Sequence, residues 1–250
     1  MHAGTDSNMS TPGNLSRAQW RHQLLDAVLF DLDGTLMDTL SDIALALNRT
    51  LAGQGLGPLS EDEVRPLVGR GGPILIERAM ARLGVQMDVA SLEKLHECFA
   101  LHGYLLQEAN ESTAQPFPGV AAGLAGLHAL GLKIAVVTNK QQQLALSLIE
   151  QHGLGKWVQA VVGGDECERR KPDPQPLQLA CKRLQASTTR TLMVGDSLND
   201  VLAARAAGMP VVCVPYGYNE GNDSRTLPCD AFIESVAELR SLLDGESAQA

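Results

Sequence analysis

What most restricts the fold of this 250-residue chain is an alternation of two kinds of segment. Short apolar runs recur at 27–30, 133–137, 158–162, 191–194 and 210–214. Runs of that length with little polar interruption read as strands buried on both faces. Stretches of helical periodicity alternate with the later runs, at 120–130, 141–151, 174–184, 198–207 and 235–243. Gly131, Gly153 and Gly208 stand where helices of this kind end. Strand–helix repeats of this size predict a parallel sheet with helices on both faces, a Rossmann-like α/β core.

The stretch from Thr39 to Gln115 breaks the alternation and shows no strand pattern. Ile43, Leu47 and Leu51 recur at helical spacing, as do Leu75, Ala79 and Leu83. Leu92, Leu95, Phe99 and Leu106 suggest a further, longer helix. The spacing predicts an all-helical insert over 39–115, with Pro116 and Pro118 as a stiff hinge. The core is then expected over 22–38 and 116–243. Residues 1–21 are polar, lack the apolar middle of a signal peptide, and read as a tail, with Met9 an alternative start. A second short tail is expected over 244–250.

Bulk properties remove several function classes. The formal net charge is −9 and no Lys/Arg run exceeds Arg169-Arg170-Lys171, which argues against a nucleic-acid partner. No apolar stretch reaches membrane-spanning length, so no membrane partner is expected. Five cysteines, none in a C-x-x-C pair, point to a reducing cytoplasm rather than a disulfide framework. Oligomeric state is not encoded in any pattern visible here.

Ligands of open α/β sheets bind at the carboxyl ends of the strands. Those ends carry Asp31-Leu32-Asp33-Gly34-Thr35, Thr138-Asn139, Asp165 with Lys171-Pro172 beyond it, and Gly195-Asp196-Ser197 with Asp200 one turn on. Clustered carboxylates repel one another unless a cation intervenes. Asp31 and Asp196 are hard oxygen donors without a neighbouring His or thiol, which favours Mg²⁺ over zinc. Thr138, read as opening a helix, offers a hydroxyl and backbone N–H groups to phosphate oxygens, and Lys171 supplies positive charge. Asp33, two residues past Asp31, is spaced to protonate a leaving oxygen and then to activate water. Asp165 reads as closing a turn or orienting Lys171.

These four segments, in order, resemble the four motifs of the haloacid-dehalogenase-like hydrolase superfamily. Within it, Val64-Arg65-Pro66-Leu67-Val68-Gly69-Arg70-Gly71 and Tyr216-Gly217-Tyr218-Asn219-Glu220-Gly221 resemble segments of bacterial phosphoglycolate phosphatases. The resemblance implies that the helical insert is a cap domain. It implies Asp31 as nucleophile, Asp33 as general acid and base, and Thr138, Asn139 and Lys171 on the phosphate. Mg²⁺ is implied at Asp31, the carbonyl of Asp33 and Asp196, with Asp200 as a ligand or the partner of one. The implied reaction is hydrolysis of a small phosphorylated metabolite, 2-phosphoglycolate, through an aspartyl-phosphate.

The alternatives are another metabolite phosphatase, a sugar-phosphate mutase, a haloacid dehalogenase, or a non-enzymatic phospho-receiver domain. A dehalogenase needs neither Asp33 nor Asp196, and a receiver domain carries no large helical insert. Gly69-Arg70-Gly71-Gly72 follows no strand, so it is not read as a dinucleotide loop. Arg70 is the expected partner of a substrate carboxylate.

Overall fold

The structure is a computed structural model that describes residues 18–21 and 23–243. Residues 1–17 of the expected N-terminal tail and all of the tail expected over 244–250 lie outside the described residues. Ahead of the core, β1 (Gln19–Trp20) and β2 (Gln23–Leu24) form an antiparallel hairpin. The tail read over 1–21 therefore ends earlier: Ala18 and Trp20 are buried in the main apolar cluster. Arg21 covers the Trp20 ring from 5.3 Å, which leaves a polar surface over an apolar anchor.

All of β3 (Ala27–Phe30) is buried. The chain then runs through β4 (Met37–Asp38) into α1 (Leu40–Ala52), α2 (Glu61–Val64), α3 (Gly72–Arg82) and α4 (Val89–Glu108). It returns through β5 (Gln115–Pro116), which pairs antiparallel with β4. The insert is helical as expected, and this two-strand ribbon at its entry and exit was not legible in the sequence. The insert has its own apolar cluster, with Leu47, Leu51, Val64, Ile76 and Met80 at its centre, joined by Tyr218 from the core.

The core continues with α5 (Val120–Ala129), β6 (Lys133–Val137), α6 (Gln142–Gln151) and β7 (Ala160–Val162). Next come α7 (Gln175–Leu184), β8 (Thr191–Gly195), α8 (Leu198–Ala206), β9 (Val211–Cys213), β10 (Ala231–Phe232) and α9 (Leu239–Leu243). Six strands form one parallel sheet in the order β10-β9-β8-β3-β6-β7. Side-chain alternation divides its two faces: Val28 and Phe30 pack in one cluster with α5, α6 and α9, Ala27 and Leu29 in another with α7 and α8.

Several bounds differ from expectation for identifiable reasons. The third strand starts at Ala160 rather than 158 because the Gln159 side chain accepts from Ile134 N at 2.6 Å, where a strand would offer its backbone. The fifth starts after Pro210, which has no N–H to donate. The last helix is a short 3₁₀ turn, Val236–Glu238, followed by α9. β10 is too short to leave a periodic signal.

Connections leave β3 toward β6 on one side and return to β8 on the other. That reversal opens a crevice at the carboxyl end of β3, the position at which open α/β sheets bind ligands.

Candidate active site

Asp31 is the first residue past β3 and lies in that crevice. Phe30 pairs with Val136 on one side and Val194 on the other, and Asp31 N donates to Val194 O at 2.9 Å. Its Oδ1 accepts from Leu32 N at 2.7 Å and meets Lys171 Nζ at 2.9 Å. Burial drives the Asp31 carboxyl well above its ordinary range; Lys171 opposes this, while Asp200 and Asp196 reinforce it.

Lys171 is buried and reaches the crevice from the loop before α7. Its ammonium donates to Val137 O at 2.7 Å and Asp200 Oδ1 at 2.7 Å, besides meeting Asp31. Burial alone would lower its pKa, but the Asp200 and Asp31 charges outweigh that and hold the ammonium above its usual range. The Lys171–Pro172 peptide is cis.

Asp196 follows the last residue of β8. Thr35 Oγ1 donates to its Oδ1 at 2.9 Å and Tyr218 N to its Oδ2 at 2.7 Å. Burial, and then the charge of Asp200, push its carboxyl up to about 7. Two glycines make room for it. A Cβ on Gly217 would lie 2.2 Å from Asp196 Oδ2, and one on Gly34, at φ +85°, 2.6 Å from the same oxygen. Asp200 is fully buried, with Lys171 on Oδ1 and Ser197 Oγ and N on Oδ2 at 2.7 and 3.1 Å.

Single carboxylate oxygens of Asp31, Asp196 and Asp200 lie within 4.8 Å of one another. Burial is the main cause of the upward shifts of Asp31 and Asp196, and the charge of Asp200 adds to both, so burial and mutual repulsion together disfavour bare carboxylates here. An all-oxygen donor set short of positive charge fits a hard divalent cation.

Asp33 lines the same cavity as Asp31. Thr39 Oγ1 donates to its Oδ1 at 2.7 Å, and Lys140 Nζ lies 3.1 and 3.3 Å from its two oxygens. Lys140 and Thr39 are functional candidates that sequence reasoning missed. The one available signal was a lysine directly after Thr138-Asn139. Thr35 and Tyr218, which hold Asp196, were likewise assigned no role.

Thr138 is buried at the end of β6, its Oγ1 accepting from Lys140 N at 3.1 Å. It does not open a helix, since α6 begins at Gln142. Asn139 spans two loops: its amide donates to Gly69 O and Lys171 O and accepts from Lys171 N, at 3.0–3.1 Å. Asp165 accepts from Gln142 N at 2.7 Å, at the start of α6, and so does not orient Lys171. Arg70 is not among the residues lining the central cavity; its Nε donates to Glu220 at 3.0 Å.

The cavity over Asp31 is closed from above by the helical insert. Asp33, Thr138 and Lys140 line it from the core, and Gly69, His96 and Phe99 from the insert. Among the described residues, no helix is long and apolar enough to cross a membrane.

The chain matches the family model described as haloacid dehalogenase-like hydrolase over residues 28–214. It is 39% identical to a phosphoglycolate phosphatase of Nitrosospira multiformis, over 89% of this chain and 97% of the relative. A solved structure of a predicted phosphoglycolate phosphatase from Haemophilus somnus superposes with a TM-score of 0.78 at 29% identity, covering 86% of this chain and 96% of the other. CbbY from Rhodobacter sphaeroides, solved as a mutant with xylulose-(1,5)bisphosphate, gives 0.73 at 26% identity, covering 86% and 96%. A family match spanning all four motifs, on a chain whose sheet brings those motifs to one crevice, places this protein in the haloacid dehalogenase-like hydrolase family.

Proposed function

We propose that this chain is a Mg²⁺-dependent phosphatase whose substrate is 2-phosphoglycolate, acting through an aspartyl-phosphate on Asp31. The observation that carries the reading is the setting of Asp31 itself. It sits at the sheet's reversal point, with Lys171 at 2.9 Å and Asp33 held nearby by Thr39 and Lys140.

Asp31, Asp196 and the carbonyl of Asp33 would hold the ion. Bound Mg²⁺ supplies the positive charge that lets a phosphate approach these carboxylates. Lys171 and Thr138 hold phosphoryl oxygens. Asn139 contributes through its backbone, because its side chain ties Lys171 to the Gly69 loop. Asp200 places Lys171, meeting its ammonium with Oδ1 at 2.7 Å while Ser197 holds Oδ2.

An Asp31 oxygen attacks phosphorus; the bond from phosphorus to the leaving oxygen breaks, and Asp33 delivers a proton to that oxygen. Asp33 then takes a proton from water, whose oxygen attacks phosphorus. The bond to Asp31 breaks and inorganic phosphate leaves. The insert acts as a cap over residues 39–115, excluding bulk water during both steps.

The substrate assignment is supported by the relative from Nitrosospira multiformis that bears the phosphoglycolate phosphatase name. One observation favours a second reading, a sugar phosphate. Among the described residues lining the cavity there is no arginine to meet a carboxylate, and the CbbY neighbour was solved with a sugar bisphosphate.

The test compares kcat/KM for 2-phosphoglycolate and a panel of sugar phosphates, with Mg²⁺ and with chelator. Asp31→Asn is expected to reduce turnover of every ester to background. A variant that keeps its rate removes the mechanism, and activity that survives complete chelation removes the ion.

A further inference from the structure

The cap must touch the leaving group if it is to select one ester over another, and the structure narrows which side chain does so. Four polar cap side chains line the cavity shared with Asp31: Thr39, Asp42, His96 and Gln107. Thr39 is engaged, donating to Asp33 Oδ1 at 2.7 Å. Asp42 is engaged, accepting from Ser112 Oγ at 2.5 Å and from Thr113 N at 2.8 Å. Gln107 donates to Leu144 O at 3.3 Å, and its Oε1 is sealed from solvent. His96 makes no hydrogen bond among the described residues. Its ring nitrogens are nevertheless not sealed, because Gln107 Oε1 is the one buried side-chain N or O without a partner among those residues.

The ring of His96 is also held in place. It projects from α4 against the start of α3, where a Cβ on Gly72 would lie 2.7 Å from both Nε2 and Cδ2, with Phe99 at 3.3 Å. Glycine at 72 therefore leaves the room that the imidazole fills. Of the other cations, Lys140 is committed to Asp33, Lys171 to Asp31 and Asp200, and Arg70 and Arg78 to Glu220, while Arg170 donates to Gly164 O at 2.7 Å and is not among the residues lining this cavity.

We propose that His96 binds the polar oxygen of the leaving group, donating a ring N–H to the carboxylate of glycolate or to a sugar hydroxyl. The proposal rests on the phosphatase reading above and deepens it. Burial and the nearby Arg170 charge lower the His96 pKa, which keeps the free ring neutral and able to donate at one nitrogen.

His96→Phe keeps the ring's bulk against Gly72 and removes both nitrogens; His96→Gln keeps an N–H donor. With Mg²⁺, His96→Phe is expected to raise KM for 2-phosphoglycolate about tenfold, the loss of one hydrogen bond to a charged group. Its kcat should change little, and His96→Gln should recover most of the affinity. Phenyl phosphate is the control, since its leaving group has no polar atom beyond the ester oxygen, and its KM should not move. Equal KM values for wild type and His96→Phe on 2-phosphoglycolate, or equal losses on both esters, would overturn the proposal. Suppose wild type cleaves another ester but not 2-phosphoglycolate. The substrate reading then fails alone, and the variants are compared on the preferred ester, where an unchanged KM overturns the role of His96. A wild type that cleaves no phosphate ester overturns both.

Discussion

At the scale of single residues, the acid proposed to move protons is clamped from two sides. Asp33 receives Thr39 Oγ1 at 2.7 Å and Lys140 Nζ at 3.1 Å, so its carboxylate has a fixed aim toward the crevice. Removing Lys140 frees one side of that clamp without touching the nucleophile. Lys140→Ala is expected to lower kcat about 10²-fold with KM changed little, the size typical of a mispositioned proton donor. Steady-state kinetics check this, and a variant with unchanged kcat would show that Thr39 alone suffices. Legibility at this scale followed chain position. Asp31, Thr138 and Asp196 were readable because each directly follows a buried strand. Lys140 and Tyr218 were not, because their partners depend on how loops from different strands cross, and Thr39 was not, because its bond to Asp33 depends on the turn between β3 and β4. Arg70 shows the same limit: its partner Glu220 lies 150 positions away, on a loop bent through a left-handed φ of 51°.

Among the elements, the α/β alternation was legible because buried parallel strands leave unbroken apolar runs. The hairpin over Trp20 and the ribbon β4–β5 escaped because two-residue strands carry no period. The interface between cap and core is set by similarly short pieces. Glu220, on the loop after β9, accepts from Arg70 and Asn199 at 3.0 Å and from Arg78 at 2.5 Å. Burial would raise the Glu220 pKa, but the bonds from Arg78, Arg70 and Asn199 outweigh it and lower the value from 4.5. A depressed carboxylate stabilises the fold above its unfolded pKa and loses that contribution as pH falls through the folded value. The clamp is therefore complete at neutral pH and is lost in acid, below about pH 4. Glu220→Gln is expected to cost about 1 kcal/mol at pH 7, discounted because Arg70 is half exposed. Urea titrations should show wild type and variant converging in acid; a gap of constant size across pH would mean that the ion pairs do not contribute.

For the molecule as a whole, the folded state concentrates negative charge at one point. Asp31, Asp196 and Asp200 share a buried pocket, and among the described residues Lys171 is the one buried cation in contact with them. Folding without a divalent ion carries that repulsion; folding with one does not. Mg²⁺ at about 100 times its dissociation constant is expected to stabilise the protein by about 2.7 kcal/mol. For a chain of this length that raises the thermal midpoint by several degrees. Asp196→Asn should abolish the rise, and a variant that keeps it would move the ion elsewhere.

One side chain joins the parts of this arrangement. Tyr218 donates its backbone N–H to Asp196 at 2.7 Å, while its hydroxyl accepts from Thr39 N at 2.8 Å and donates to Asp38 at 2.9 Å. Its ring is buried in the cap's own apolar cluster. The acid proposed to hold the ion, the ribbon through which the chain enters and leaves the cap, and the interior of the cap thus meet at one residue. In thermodynamic terms, such a junction makes cation occupancy and cap closure coupled coordinates. Whatever free energy the ion gains from a closed cap, closure gains from the ion. A substrate that drew the cap down would then tighten the hold on its own metal.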